Sequence, residues 1–289
     1  MTIIENALIR ATINPKGAEL TSLFHKQLQL EYLWSGDPAF WGKHSPVLFP
    51  IVGALKENIY YYKDSVYELA RHGFARDKVF TVEIKETDRV VFLLTSSPGT
   101  EIIYPFSFEF RIHYSLHKDQ LCVAYSITNI GKEEMYFSVG GHPAFALPLW
   151  PGTNYNDYRL EFEKEENTGR WPISKEGLIE KEPIPLLENS KQLPLTKELF
   201  HKDAIVLKNL TSSYVTLKSA NTSHGWRFDF SDFPYLGIWA AKNADFVCIE
   251  PWCGIADSVE SDQQFINKEG INHLVPGAIF SRTWSVQLW

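Results

Sequence analysis

The sequence predicts an all-β protein, and three observations carry that expectation. Apolar residues alternate along short runs: Leu121, Val123, Tyr125 and Ile127 fall on one face, with the small Cys122, Ala124 and Ser126 on the other. Turn signals rich in Gly, Pro and Asn recur roughly every ten residues. Aromatic residues make up 14% of the 289-residue chain, a composition that suits pleated surfaces better than a helical bundle. The βαβ alternation of a doubly wound fold is missing, so the expected architecture is a large antiparallel β-sandwich.

Taken in order, residues 1–13 read as a first strand ended by Asn14-Pro15-Lys16-Gly17. Residues 18–24 and 29–34 form a hairpin around His25-Lys26-Gln27, and a loop then runs from Gly36 through Trp41 to Pro46. The apolar run 47–49 is halted by Pro50. A hairpin over 60–69 has Lys63-Asp64-Ser65 at its tip and leads into a constrained loop, Ala70 to Arg76. Strands follow at 89–95, 108–116, 121–127 and 135–139. Glu, Lys, Pro and Asn dominate 164–202, which predicts a long surface excursion with a short helix at 197–200. Strands resume at 204–207, 214–218, 226–230, 236–240 and 283–288. Because the same kind of strand flanks the excursion and no repeat is visible, one domain spanning 1–289 is expected.

Charge and cysteine usage narrow the function classes. The net charge of −7 is scattered singly. No basic block is present to neutralise phosphates, which argues against a nucleic-acid partner. The N-terminus lacks a signal-peptide pattern, and no apolar run is long enough to cross a bilayer, so a cytoplasmic protein with no membrane partner is expected. Cys122, Cys248 and Cys253 are too few for a disulfide framework, and Cys248-x4-Cys253 has no second pair to complete a zinc site. Buried thiols are expected instead.

One stretch, Val247 to Asp257, stands out. Its apolar run ends on Glu250, followed by Pro251, Trp252 and Gly254. Pro251 cannot donate to a ladder, so the strand is expected to stop there and leave Glu250 at a sheet rim. A carboxylate beside an indole suits a sugar, with Trp252 stacking on the apolar ring face. The same residues also read as an edge Glu satisfied by a cation beside a core Trp. Two loops supply imidazoles: His72 in Arg71–Arg76, and His142 in Gly140-Gly141-His142-Pro143. Together the three groups could serve as an acid, a base and an orienting donor. Two His and a carboxylate also suit a metal, but no His-x-His or His-x3-His spacing supplies two ligands from one element. Neither a metal nor a cofactor is expected. No Gly-x-Ser-x-Gly elbow is present.

His72-Gly73-Phe74-Ala75-Arg76, Gly140-Gly141-His142-Pro143-Ala144-Phe145, Lys202-Asp203-Ala204 and Ile249-Glu250-Pro251-Trp252-Cys253-Gly254 occur in that order. Together with residues 14–20 and 46–50 they resemble the aldose 1-epimerase (mutarotase) superfamily, in particular its LacX-like branch. The resemblance implies a β-supersandwich that interconverts sugar anomers without a cofactor. It implies Glu250 as general base at the C1 hydroxyl, His142 as general acid at the ring oxygen, and His72 as a second hydrogen-bonding imidazole. Asp203 would hold far hydroxyls. Many relatives carry an arginine directly after the glycine of the Pro-x-x-Gly segment, where this chain has Ala54. Lys56 and Arg76 are the candidates to fill that place. Arg76 also belongs to a motif shared with the hexose-phosphate branch, so a phosphorylated sugar stays open. The expected partner is a small-molecule sugar, with the chain a monomer or homodimer. A catalytically weak carbohydrate-binding or sensing protein is the alternative.

Overall fold

The computed structural model describes residues 1–289 and is built almost wholly of antiparallel strands. Phe108–His117 and Gln120–Asn129 pair along their full length, from Phe108 opposite Asn129 to His117 opposite Gln120. In both, buried and part-exposed residues alternate, as the sequence pattern requires for a sheet with one face inward. They lie within a nine-stranded sheet that runs from Ile184–Pro194 at one edge to Thr81–Lys85 at the other.

A six-stranded sheet carries the functional residues. Its order is Ile205–Lys208, Tyr235–Trp239, Phe246–Cys253, Val139–Gly141, Val47–Leu48, with Ala144–Ala146 also paired to Phe246–Cys253. One cluster of 70 buried residues, from Ile4 to Leu288, draws on both sheets. Phe49 shows how loops are fixed to this core: its ring packs on Phe108, Phe110 and Phe137 at 5.0, 4.8 and 6.1 Å. Burying one such ring contributes roughly 1.5–3 kcal/mol. It also anchors the segment against which the His72 loop is bonded, since Phe49 O accepts the amides of Phe74 and Ala75.

Four expectations need correction. The strand at Phe246–Cys253 does not stop at Pro251; every residue in it is buried. Glu250 therefore sits in a central strand, opposite Gly237, and not at a rim. Pro251 is tolerated because Ile249 donates its amide to Pro143 O at 3.2 Å. The nitrogen two residues on points the same way, to where the neighbouring chain is interrupted between Val139–Gly141 and Ala144–Ala146. Second, much of 164–202 is strand: Tyr158–Arg170 pairs with Ile184–Pro194 across three register shifts. Bulges and edge position remove the apolar alternation that would announce it. The short helix is there, as a 3₁₀ turn at Lys197–Phe200. Third, residues 1–13 form a hairpin, Thr2–Glu5 and Ile9–Asn14. Asn6 turns the chain by accepting the amides of Leu8 and Ile9 on its side-chain oxygen. Fourth, Cys248 and Cys253 are buried, but Cys122 is only half-buried. No helix is long and apolar enough to cross a membrane.

Candidate active site

Alternation along Phe246–Cys253 puts Cys248, Glu250 and Trp252 on one face. Glu250 and Trp252 of that face line a cavity of about 470 Å³, within the range usual for small-molecule sites. His72, Arg76, His142, Asp203, Glu250 and Trp252 all line it. Residues 72, 142 and 250, far apart along the chain, share one pocket.

His142 lies at the interruption between Val139–Gly141 and Ala144–Ala146. Its ring stacks on Trp41 (centroids 5.0 Å apart, planes at 27°) and meets Trp239 edge-on at 5.6 Å. Nε2 is 3.3 Å from Glu250 Oε2, while Nδ1 is buried without a partner. His72 has φ +68°. Its amide donates to Gly53 O at 2.8 Å, and its Nδ1 accepts the Gly53 amide at 3.1 Å. That bond fixes the tautomer: the proton resides on Nε2, as a donor. The two imidazoles meet edge to face at 5.8 Å. Asp203 sits at φ +84° and accepts the amide of Ala204 at 2.7 Å. Positive φ at two non-glycine pocket residues is the kind of backbone strain that concentrates at functional sites.

Trp252 lines the cavity but is only 5% exposed, so it offers little face for stacking. Its indole is wedged between neighbours without side chains. A Cβ on Gly237 would lie 2.4 Å from the ring, and one on Gly140 would lie 2.6 Å away. The partly exposed aromatics of the wall are Trp41 and Trp239, which the sequence reading placed in a loop and a strand without a role. Arg71 lines the cavity as well. A Cβ on Gly177 would lie 1.9 Å from Arg71 Nη2 and 3.3 Å from the Ala54 methyl. Glycine at 177 thus makes room for a guanidinium beside Ala54, the position where the resemblance implies an arginine. Arg76 is tied down by donating to Arg71 O at 2.8 Å.

Lys56 is not part of the site. Its Nζ donates to Ser261 O at 3.2 Å and its amide to Asp257 Oδ2 at 3.0 Å, outside the cavity lining. Asp257 is likewise engaged elsewhere, in a 2.7 Å buried ion pair with Lys268, so Glu250 and Asp257 do not flank one ligand. Lys56→Met is expected to leave sugar affinity within about a factor of two, the ±0.5 kcal/mol usual for a change outside a site. A tenfold loss in a binding titration would return Lys56 to the pocket.

Burial sets the protonation of the empty pocket. It pushes the Glu250 carboxyl well above its ordinary value, and the nearby Asp203 charge adds to the rise. The Trp252 indole N–H, which makes no well-formed hydrogen bond, opposes that rise by its nearness. Burial also depresses His142 to about 3 and holds His72 well below its usual range. Both members of the central pair are therefore pushed toward their neutral forms. A carboxyl raised on folding loses stability as pH climbs above its unfolded value of 4.5, because only the unfolded chain gives up the proton. An imidazole depressed on folding does the opposite, losing stability as pH falls from 6.5 towards 3. Glu250→Gln is thus expected to gain stability over the parent as pH rises from 4.5 toward the raised native value, by up to ~1.4 kcal/mol per unit. Urea melts across that range check this; a flat difference means that Glu250 is ionised in the native state.

Comparison with known proteins places the chain in a family. The family model for aldose 1-epimerase matches residues 1–265. The chain belongs to the aldose 1-epimerase family. Among its relatives are the chromosomal and plasmid LacX proteins of Lactococcus lactis subsp. lactis, 36% and 35% identical over 96% of this chain and 95% of theirs. A galactose mutarotase related enzyme from Lactobacillus acidophilus superposes with a TM-score of 0.95 at 35% identity, covering 100% of this chain and 97% of that one. A galactose mutarotase-like protein from Lactobacillus casei ATCC 334 gives 0.92 at 34%, with both chains fully covered. The all-β fold of this epimerase-family chain is that of its mutarotase-like neighbours.

Proposed function

We propose that the protein interconverts the α and β anomers of an aldose by acid–base ring opening. The observation that carries this reading is the 3.3 Å approach of Glu250 and His142 at the floor of a sugar-sized cavity. Glu250 takes the proton of the C1 hydroxyl while His142 gives one to the ring oxygen. The electrons of the O–H bond form the carbonyl, and those of the C1–O5 bond leave with O5. Rotation about C1–C2 and the reverse transfers on the other face of the aldehyde give the second anomer. His72, with its proton on Nε2, supplies a fixed donor. Asp203, Arg71 and Arg76 are the polar groups for the remaining hydroxyls, and Trp41 and Trp239 offer the apolar wall.

The neutral forms that burial favours in this pair bear directly on this scheme. Protonated Glu250 beside neutral His142 is the state the enzyme reaches when the sugar is open. The cyclic sugar needs the opposite arrangement, anionic Glu250 and cationic His142, which contains the same one proton. Transfer across 3.3 Å interconverts the two without any exchange with solvent. Sugar hydroxyls in the pocket replace lost water and favour the charged form.

That same neutrality favours a second reading, a sugar-binding or sensing protein with slow chemistry, because an imidazole depressed to about 3 seldom carries the proton that a general acid has to give. Anomeric exchange followed by NMR over a panel of free and phosphorylated sugars separates the two. The panel includes phosphates because Arg71, Arg76 and Lys242 all line the cavity. Acceleration of at least one sugar that disappears in His142→Asn supports catalysis. Saturable binding with no acceleration supports the second reading.

A further inference from the structure

Beneath the Glu250–His142 pair lies a third buried donor that anomerisation does not use. Cys248 and Glu250 are two residues apart on one strand and share its face, and His142 reaches the same spot from the neighbouring chain. One ligand atom from each of the three lies within 4.8 Å of the other two. All three side chains are more than nine-tenths buried, at 7% exposure for His142, 0% for Cys248 and 2% for Glu250. His142 is held by stacking on Trp41, and its Nδ1 makes no well-formed hydrogen bond.

One separation already suits a small tetrahedral ion, and the Cys248 sulfur, within 4.8 Å of the other two atoms, has to turn toward it. Two ligands each ~2.0–2.1 Å from such an ion stand about 3.3 Å apart, and His142 Nε2 and Glu250 Oε2 are 3.3 Å apart. Sulfur, imidazole nitrogen and carboxylate oxygen together favour zinc or cadmium over the oxygen-seeking magnesium and calcium. Two of the three donors, His142 and Glu250, line the cavity, which gives an ion a way in. Resting on the anomerase reading of this pocket, we propose that His142, Cys248 and Glu250 form a reversible inhibitory site for one thiophilic divalent cation, which occupies acid and base at once.

Charge balances. The entering dication displaces two protons to solvent, one from the Cys248 thiol and one from the Glu250–His142 pair. The net charge of the buried cluster is therefore unchanged, and no uncompensated charge is buried. Metal-bound histidines normally donate their second nitrogen to an outer partner, and losing such a partner weakens binding about 10- to 100-fold. Nδ1 of His142 lacks one, which makes the site reversible. Sugar and cation need the same two groups, so each must weaken the binding of the other.

The test uses chelator-treated full-length protein and cadmium chloride as the probe, read by the ultraviolet charge-transfer absorption of a cadmium–thiolate bond. One equivalent per chain is expected, with affinity lowered at least ~100-fold in Cys248→Ser and also lowered in His142→Asn. Cys122→Ser and Cys253→Ser are expected to leave it unchanged. In parallel, zinc chloride is expected to slow anomerisation in the parent and to lose that effect in Cys248→Ser, each rate taken relative to the same protein without metal. Absorption that survives in Cys248→Ser, or that moves with Cys122 or Cys253, overturns the proposal. So does zinc that leaves an active parent unaffected. The underlying reading fails separately: a parent that accelerates no sugar yet binds cadmium through Cys248 and His142 keeps the cation site and loses the anomerase.

Discussion

Replacing Glu250 by Gln is expected to lower kcat/KM for anomerisation by about 10²- to 10⁴-fold, the usual contribution of one positioned acid–base group, while the protein stays folded. The substitution preserves shape and keeps the carbonyl oxygen, and it removes only the ability to take the C1 proton. Glu250 is buried between Gly237 on one strand and the interrupted chain on the other, so no water-exposed carboxylate stands ready to substitute. Because the proton is moved only during ring opening, the loss should fall on kcat more than on KM. Exchange NMR at saturating sugar reads this directly. A drop of less than about threefold, with binding intact, would remove Glu250 from the chemistry.

The largest expected effect on stability lies elsewhere. Lys268→Met should destabilise the fold by about 3–5 kcal/mol, because it leaves the Asp257 carboxylate buried without its cation. The pair is 2.7 Å long, and the two side chains are only 2% and 3% exposed. Burial pulls the lysine down from its ordinary value and Asp257 pulls it back. Replacing both residues, as Asp257→Asn with Lys268→Met, should cost less than Lys268→Met alone, since the stranded charge is gone. Urea denaturation of the two variants tests this, and a double change costlier than the single would show that the anionic form is not the problem. Asp257 also holds the pocket: its amide donates to Ala54 O and its carbonyl accepts from Ile179. A higher KM in Lys268→Met at unchanged kcat is the expected companion.

The sheet-forming parts of the chain were readable where one face is wet. Residues 121–127 announced themselves because Leu121, Val123, Tyr125 and Ile127 face the core while their neighbours meet the surface layer. Strand Phe246–Cys253 carries no such signal beyond being apolar, since it is buried on both faces. The rule that proline ends a strand then misplaced Glu250. That rule failed for a tertiary reason, the gap in the adjacent chain at His142-Pro143, which local sequence cannot show. The long hairpin within 158–194 was hidden by its charged, bulged edge. Within the site, the two histidines stood out beside glycines and Glu250 as the carboxylate that closes an apolar run, while Asp203 was marked only by the family resemblance. Trp41, Trp239 and Arg71 did not stand out. Their part depends on which way a loop folds over the sheet, and for Arg71 on the absence of a side chain at Gly177.

The seating of the Trp252 ring against Gly140 and Gly237 ties three codons together. A methyl at either glycine collides with the indole, and a smaller ring at 252 leaves a void that nothing nearby fills, so each single step is unfavourable. Gly237→Ala combined with Trp252→Phe should be less harmful than the sum of the two alone, which makes drift at any one of these positions conditional on the others. Divergence here is expected to proceed by paired replacement, with the Glu250 carboxylate carried along on a backbone that has little freedom to wander.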